Sequence, residues 1–123
     1  MPKLLLVEDD EILIRMYRTK LERENFEVDT AQDGEECLTK IREFKPDIVL
    51  LDIVMPKLNG LDVLKRVKAQ PELKGIPVVI LTNAPVHIAA KECLQLGALG
   101  YIIKSDNTPS EVVKKVREFL NMG

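Results

Sequence analysis

The sequence has no Trp, three Phe and two Tyr, and aromatic residues make up only 4% of its 123 positions, so a core here must be built from aliphatic side chains. It has two cysteines, Cys37 and Cys93, and one histidine. Neither cysteine lies in a C-x-x-C or beside a histidine, which excludes a zinc site and a disulfide framework and leaves two buried free thiols as the expectation. No apolar run approaches the roughly 18 to 20 residues of a membrane-spanning helix, and the start has no signal-peptide layout, so the chain is expected in the cytoplasm. No excess of basic charge exists either: 18 Lys and Arg against 20 Asp and Glu give a net charge of −2, which argues against nucleic acid as a direct partner.

What is present is strongly patterned. Hydrophobic residues are 46% of the chain and charged residues 31%, the composition of a folded domain, and 123 residues suit one domain spanning the whole sequence. The charge is unevenly spread: residues 1–62 hold 15 acids and 9 bases, residues 63–123 hold 5 acids and 9 bases. Something in the first half gathers carboxylates.

Residues 3–7, 48–51, 78–81 and 101–103 are short apolar runs, as in strands covered on both faces, whereas 26–30 alternates apolar and polar as an edge strand does. Between them lie helically spaced apolar residues: Ile12, Leu13, Met16, Tyr17 and Leu21; Cys37, Leu38 and Ile41; Leu61, Leu64 and Val67; Ile88, Ala89, Cys93 and Leu96; Val112, Val113, Val116, Phe119 and Leu120. Boundary signals agree. Thr108-Pro109-Ser110-Glu111 is a capping box with Pro at the first helical position, Asn59-Gly60-Leu61-Asp62 opens a helix, and Gly97 follows the end of another. Five β-α units with short connections predict right-handed crossovers and a three-layer α/β sandwich: a doubly wound, flavodoxin-like five-stranded parallel sheet.

Ligands of open parallel sheets bind beyond the carboxyl ends of the strands. The first strand ends at Glu8-Asp9-Asp10, the third at Asp52, the fourth at Thr82 and the fifth at Lys104, while the second ends without comparable charge. Convergence of those four ends requires the strand order 2-1-3-4-5. Gathered carboxylates repel, and a hard cation relieves them; magnesium suits one or two carboxylates plus water. Such a site admits a phosphate group, with Lys104 neutralising charge, Thr82 offering a hydroxyl, and Asp52 placed as a nucleophile that becomes an aspartyl phosphate. Taken singly, these residues have plainer readings: the acidic trio and Thr82-Asn83 can cap helices, Lys104 and Asp52 can form a structural ion pair, and His87 reads as a surface residue.

The motifs Leu6-Val-Glu-Asp-Asp10, Asp52-Ile-Val-Met-Pro-Lys-Leu-Asn-Gly60, Leu81-Thr82, Gly97-Ala98 and Tyr101-Ile-Ile-Lys104 resemble the receiver domain of two-component response regulators of the chemotaxis-regulator type, over essentially the whole chain. The resemblance implies that Asp52 accepts a phosphoryl group from the phosphohistidine of a sensor histidine kinase or phosphotransfer protein. It implies that magnesium is held by Asp9, Glu8, Asp52 and the backbone carbonyl of Val54, and that Lys104 contacts the phosphoryl group. Thr82 and Tyr101 would then act as switch residues, rearranging the surface of the fourth helix, fifth strand and fifth helix to regulate a downstream protein as a monomer or phosphorylation-dependent dimer. Ser105 stands where the family commonly has Pro, leaving the Lys104–Ser105 peptide open between trans and cis, and Asn83 stands where a very small residue is usual. Three rival readings weigh less. A haloacid-dehalogenase-like phosphatase lacks its second Asp, since Val54 occupies that position; a flavodoxin-like cofactor binder would need a Ser/Thr/Gly-rich loop where Glu8-Asp9-Asp10 stands; a degenerate scaffold receiver is disfavoured by the intact acids, Thr82 and Lys104.

Overall fold

The structure, a computed structural model, describes residues 1–53, 59–82 and 87–122. In chain order the elements are β1 (Lys3–Val7), α1 (Glu11–Arg23), β2 (Glu27–Ala31), α2 (Gly34–Phe44), β3 (Ile48–Leu51), α3 (Gly60–Ala69), β4 (Val78–Thr82), α4 (His87–Gln95), β5 (Gly100–Ile103) and α5 (Pro109–Met122), with a single 3-10 turn at Lys104–Asp106. The five strands form one parallel sheet in the order β2-β1-β3-β4-β5, the order the strand ends demanded.

Residues alternate across a strand, so consecutive apolar positions serve opposite faces. Leu5, Val7, Val49, Leu51, Val78 and Ile80 pack with Cys37, Ile41, Val63, Leu64, Val67 and Cys93 on one side. Leu4, Leu6, Ile48, Leu50, Val79, Leu81 and Ile102 pack with Ile14, Tyr17, Leu21, Val112, Val113 and Val116 on the other. Continuous apolar strands are therefore required by the two helical layers. β2, at the edge, mixes buried Val28 and Ala31 with exposed Glu27. Both cysteines are buried free thiols. Among the described residues, no helix is long and apolar enough to cross a membrane.

The helix ends follow their local chemistry. Asp10 Oδ1 accepts from the N–H groups of Ile12 at 2.9 Å and Leu13 at 3.3 Å, capping α1. Thr108 and Glu111 exchange reciprocal hydrogen bonds of 2.8 and 3.2 Å, the predicted capping box of α5. Asn59 accepts from the Asp62 N–H at 3.0 Å, and Gly97 turns the chain into β5 with φ +102°.

One expected helix face is corrected. α1 buries Ile14, Tyr17 and Leu21, whereas Ile12 is 77% and Met16 39% exposed. Residues 14, 17 and 21 share one stripe at 3.6 residues per turn, and Ile12 lies about 200° around the helix from Ile14. Strand 4 also runs one residue further than expected, to Thr82. The Lys104–Ser105 peptide is trans. The expectations placed on Val54, on Asn83 and on the side chains of His87, Ile88 and Ala89 lie outside the described residues.

Candidate functional site

Register brings the strand ends level. Val7 pairs with both Ala31 and Leu51, and Thr82 with Ile103. One residue further on, the Glu8 N–H donates to the Ala31 carbonyl and the Asp52 N–H to the Val7 carbonyl, each at 3.0 Å. These bonds carry the backbone of both acids to the same edge of the sheet.

Gly60 supplies the tight approach behind Asp52. Its N–H donates to the Ile53 carbonyl at 2.8 Å, and a Cβ at this position would lie 2.2 Å from the Asp52 carbonyl oxygen and 2.7 Å from the Ile53 Cα. Only a residue without a side chain lets α3 begin there.

The side chains converge. Glu8, Asp52 and Thr82 are buried at the end of otherwise apolar strands, and Asp9 is exposed at the rim. The Lys104 ammonium donates to Asp52 Oδ2 at 3.3 Å and to Glu8 Oε1. Glu8 Oε2 accepts from the Asp9 N–H at 3.0 Å. Glu8, Asp9 and Asp52 each offer a carboxylate oxygen within 4.8 Å of the others. The acidic trio thus divides its work: Asp10 caps the helix, while Glu8 and Asp9 face Asp52.

The electrostatics follow from burial. Desolvation pushes the Glu8 carboxyl above its usual range, the neighbouring Asp52 carboxyl adds to the rise, and Lys104 opposes it. Asp9 is raised by desolvation and by Glu8. Desolvation alone would lower Lys104, but its hydrogen bond to Glu8 and the charge of Asp52 outweigh that and hold the ammonium protonated. Carboxylates raised in this way, with an open side at Asp9, are a donor set that fits a hard, oxygen-seeking divalent cation such as magnesium.

Tyr101 stands apart from the cluster, 45% exposed on β5. It pairs in register with Ile80, two residues before Thr82. Asn107, which no motif marks, donates from Nδ2 to the Ile103 carbonyl at 2.8 Å beside Lys104.

Residues 4–117 match the response regulator receiver domain family. The chain belongs to that family. This receiver is 34% identical over 120 residues to the phosphate regulon transcriptional regulatory protein PhoB of Rhizobium meliloti, covering 98% of the chain and 52% of PhoB. It spans about half the length of curated relatives such as this one. Among solved structures, the chemotaxis response regulator CheY4 of Vibrio cholerae superposes with a TM-score of 0.89 at 29% identity, over 97% of this chain and 98% of that one. The phosphorylated cyanobacterial phytochrome response regulator RcpA gives 0.85 at 35% identity, over 97% and 93%. The receiver is therefore a signalling domain of two-component systems with the flavodoxin-like architecture of CheY-type proteins.

Proposed function

We propose that this receiver is a phosphorylation-operated switch in which Asp52 takes a phosphoryl group from the phosphohistidine of a sensor histidine kinase or phosphotransfer protein. The observation that carries the reading is the joint placement of buried Asp52, the Lys104 ammonium 3.3 Å from its Oδ2, and the Glu8 and Asp9 carboxylates within 4.8 Å. An Asp52 oxygen attacks phosphorus in line, the O–P bond forms as the P–N bond breaks, and the departing imidazole keeps the electron pair and picks up its proton on the donor protein. Glu8, Asp9 and Asp52, with the Val54 carbonyl, would hold magnesium. When bound, magnesium offsets the negative charge of the carboxylates and of the phosphoryl oxygens.

The residues of the chain then account for the switch. Conversion of the Asp52 carboxylate to an acyl phosphate adds about one negative charge, and Lys104 moves its ammonium to a phosphoryl oxygen. The Thr82 hydroxyl donates to a second oxygen, drawing in the end of β4. Because Ile80 and Tyr101 are register partners, a shift of β4 reaches the exposed ring of Tyr101. The surface of α4, β5 and α5 changes, and a downstream protein reads it in the cytoplasm. No separate substrate is turned over; the chemistry is the domain's own phosphorylation and slow hydrolysis.

Intact-mass spectrometry after incubation with acetyl phosphate tests this, with and without magnesium, on the native chain and on Asp52→Asn. A magnesium-dependent gain of one phosphoryl group, absent in the variant, is expected. No gain in any condition, with beryllofluoride also failing to bind, would overturn it and leave a phosphorylation-independent interaction domain.

A further inference from the structure

Lys104 does not sit on a strand. It opens the 3-10 turn Lys104–Asp106, just after β5, the edge strand of the sheet. Strand pairing ends at Ile103, which pairs with Thr82. Yet its ammonium reaches two carboxylates at once, those of Glu8 and Asp52. A long flexible side chain keeps such an aim only if its own backbone is held.

Asn107 supplies that hold. Its Nδ2 donates to the Ile103 carbonyl at 2.8 Å, and its backbone N–H donates to the Lys104 carbonyl at 3.4 Å. These carbonyls belong to the two peptide planes flanking the Lys104 Cα. The orientations of those planes are the φ and ψ of Lys104, and these set the direction of its Cα–Cβ bond. A single half-buried residue therefore grips both. It is anchored in turn by the next residue, since Thr108 forms the capping box with Glu111 that starts α5.

We infer that Asn107 is a positioning residue for Lys104, clamping the two peptide planes on either side of it so that the ammonium points at Glu8 and Asp52. The inference rests on the phosphoacceptor reading of this site. Among the described residues, the Asn107 hydrogen bonds go to the Ile103 and Lys104 carbonyls, so it acts through Lys104.

The test is a double-mutant cycle on the full chain, reading the rate of phosphoryl uptake from acetyl phosphate with magnesium at a temperature where every variant is folded by circular dichroism. Asn107→Ala is expected to slow uptake roughly tenfold to a hundredfold, as displacement of a charge-stabilising group by up to about 1 Å does. Asn107→Asp, the same shape without the donor, is expected to do likewise. In a Lys104→Met background, Asn107→Ala is expected to cost nothing further, because the group it aims is gone. The Lys104 ammonium resonance in nitrogen-correlated NMR is expected to shift in Asn107→Ala and Asn107→Asp. Wild-type uptake with an unmoved Lys104 signal in both variants, or equal losses in both backgrounds, would overturn the inference. If the wild-type chain takes up no phosphoryl group, the phosphoacceptor reading falls and the Lys104 resonance alone decides the positioning role. If Asn107→Ala does not fold, Asn107→Asp carries the same cycle.

Discussion

Gly60→Ala separates two opposed physical effects by sign. Helix propensity alone favours the change, by less than the about 1 kcal/mol that separates Gly from Ala in a helix interior, because Gly60 is the first residue of α3. Steric fit opposes it. The added Cβ would lie 2.2 Å from the Asp52 carbonyl oxygen and 3.0 Å from the Asp52 carbonyl carbon, in a backbone segment tied by the 2.8 Å bond from Gly60 N–H to the Ile53 carbonyl. No flexible side chain can give way, since the atoms met are backbone. Overpacking of this kind costs about 1–3 kcal/mol, and weakening the Gly60–Ile53 hydrogen bond adds about 0.5–1.5 kcal/mol. The net expectation is a destabilisation of about 1–3 kcal/mol, or a Tm lower by roughly 4–12 °C for a domain of this size. Urea unfolding is the assay, and the midpoint should fall with no change in slope. Gly75→Ala is the control: nothing lies within 4 Å of its added Cβ, and the substitution should be neutral or stabilising by up to about 1 kcal/mol. A Gly60→Ala protein as stable as the native chain, or stabilised like the control, would refute the close-approach argument. The same displacement moves Asp52, so phosphoryl uptake should fall with stability.

Lys104→Met should destabilise by about 2–4 kcal/mol, short of the full cost of an orphaned buried ion pair because the cluster opens to solvent at Asp9; urea titration at neutral pH would show it. Glu8 has a raised pKa in the native state, so the folded chain binds its proton more tightly than the unfolded chain. Stability should therefore rise as pH falls from neutral toward 4.5, the ordinary value for Glu, with Asp9 acting in the same direction, and Glu8→Gln should flatten this slope in thermal melts across that range. Burial pushes the Cys37 thiol up to about 12 and raises Cys93 as well. Iodoacetamide at mildly alkaline pH should then label neither cysteine in the native state and both in urea, by mass spectrometry.

How much of this was legible depended on whether a residue's role is set by its strand or by its neighbours. The alternation of Leu4 and Leu6 against Leu5 and Val7 belongs to β1 alone, so two covered faces could be read before any contact was known. Glu8, Asp52, Thr82 and Lys104 stood out because polar types ending apolar runs are conspicuous, and four such ends fix a strand order. The face of α1 was not legible in the same way. The pairs Ile12-Leu13 and Met16-Tyr17 define a stripe as regular as Ile14, Tyr17 and Leu21, and only the position of α5 and the sheet decides between them. Asn107 was illegible for a different reason. Its hydrogen bond runs four residues back across a turn that carries no periodic signal, in a stretch of polar residues that reads as a plain connection.

The division of the acidic trio shows how the site and the fold are connected. Asp10 faces the helix N–H groups, which are satisfied whether or not the site is charged, and its role could be filled by Ser, Thr or Asn. Glu8 and Asp52 have no such substitutes, because their cost comes from burial in an apolar sheet and is offset in part by the Lys104 ammonium. Neutral, well-packed residues in place of all three, Glu8, Asp52 and Lys104, would give an equally or more stable sheet edge. On the proposed function, a divalent cation bound to the oxygens of Glu8, Asp9 and Asp52 would add to the compensation that Lys104 supplies. On the same proposal, an added phosphoryl charge would disturb this balance, and Lys104 and Thr82 would rearrange in response. It follows that Glu8→Gln should make the resting fold more stable at neutral pH and its response to phosphoryl donors weaker, in one and the same protein. A variant that gained stability while keeping full magnesium-dependent uptake would break the connection between the cost of the site and its work.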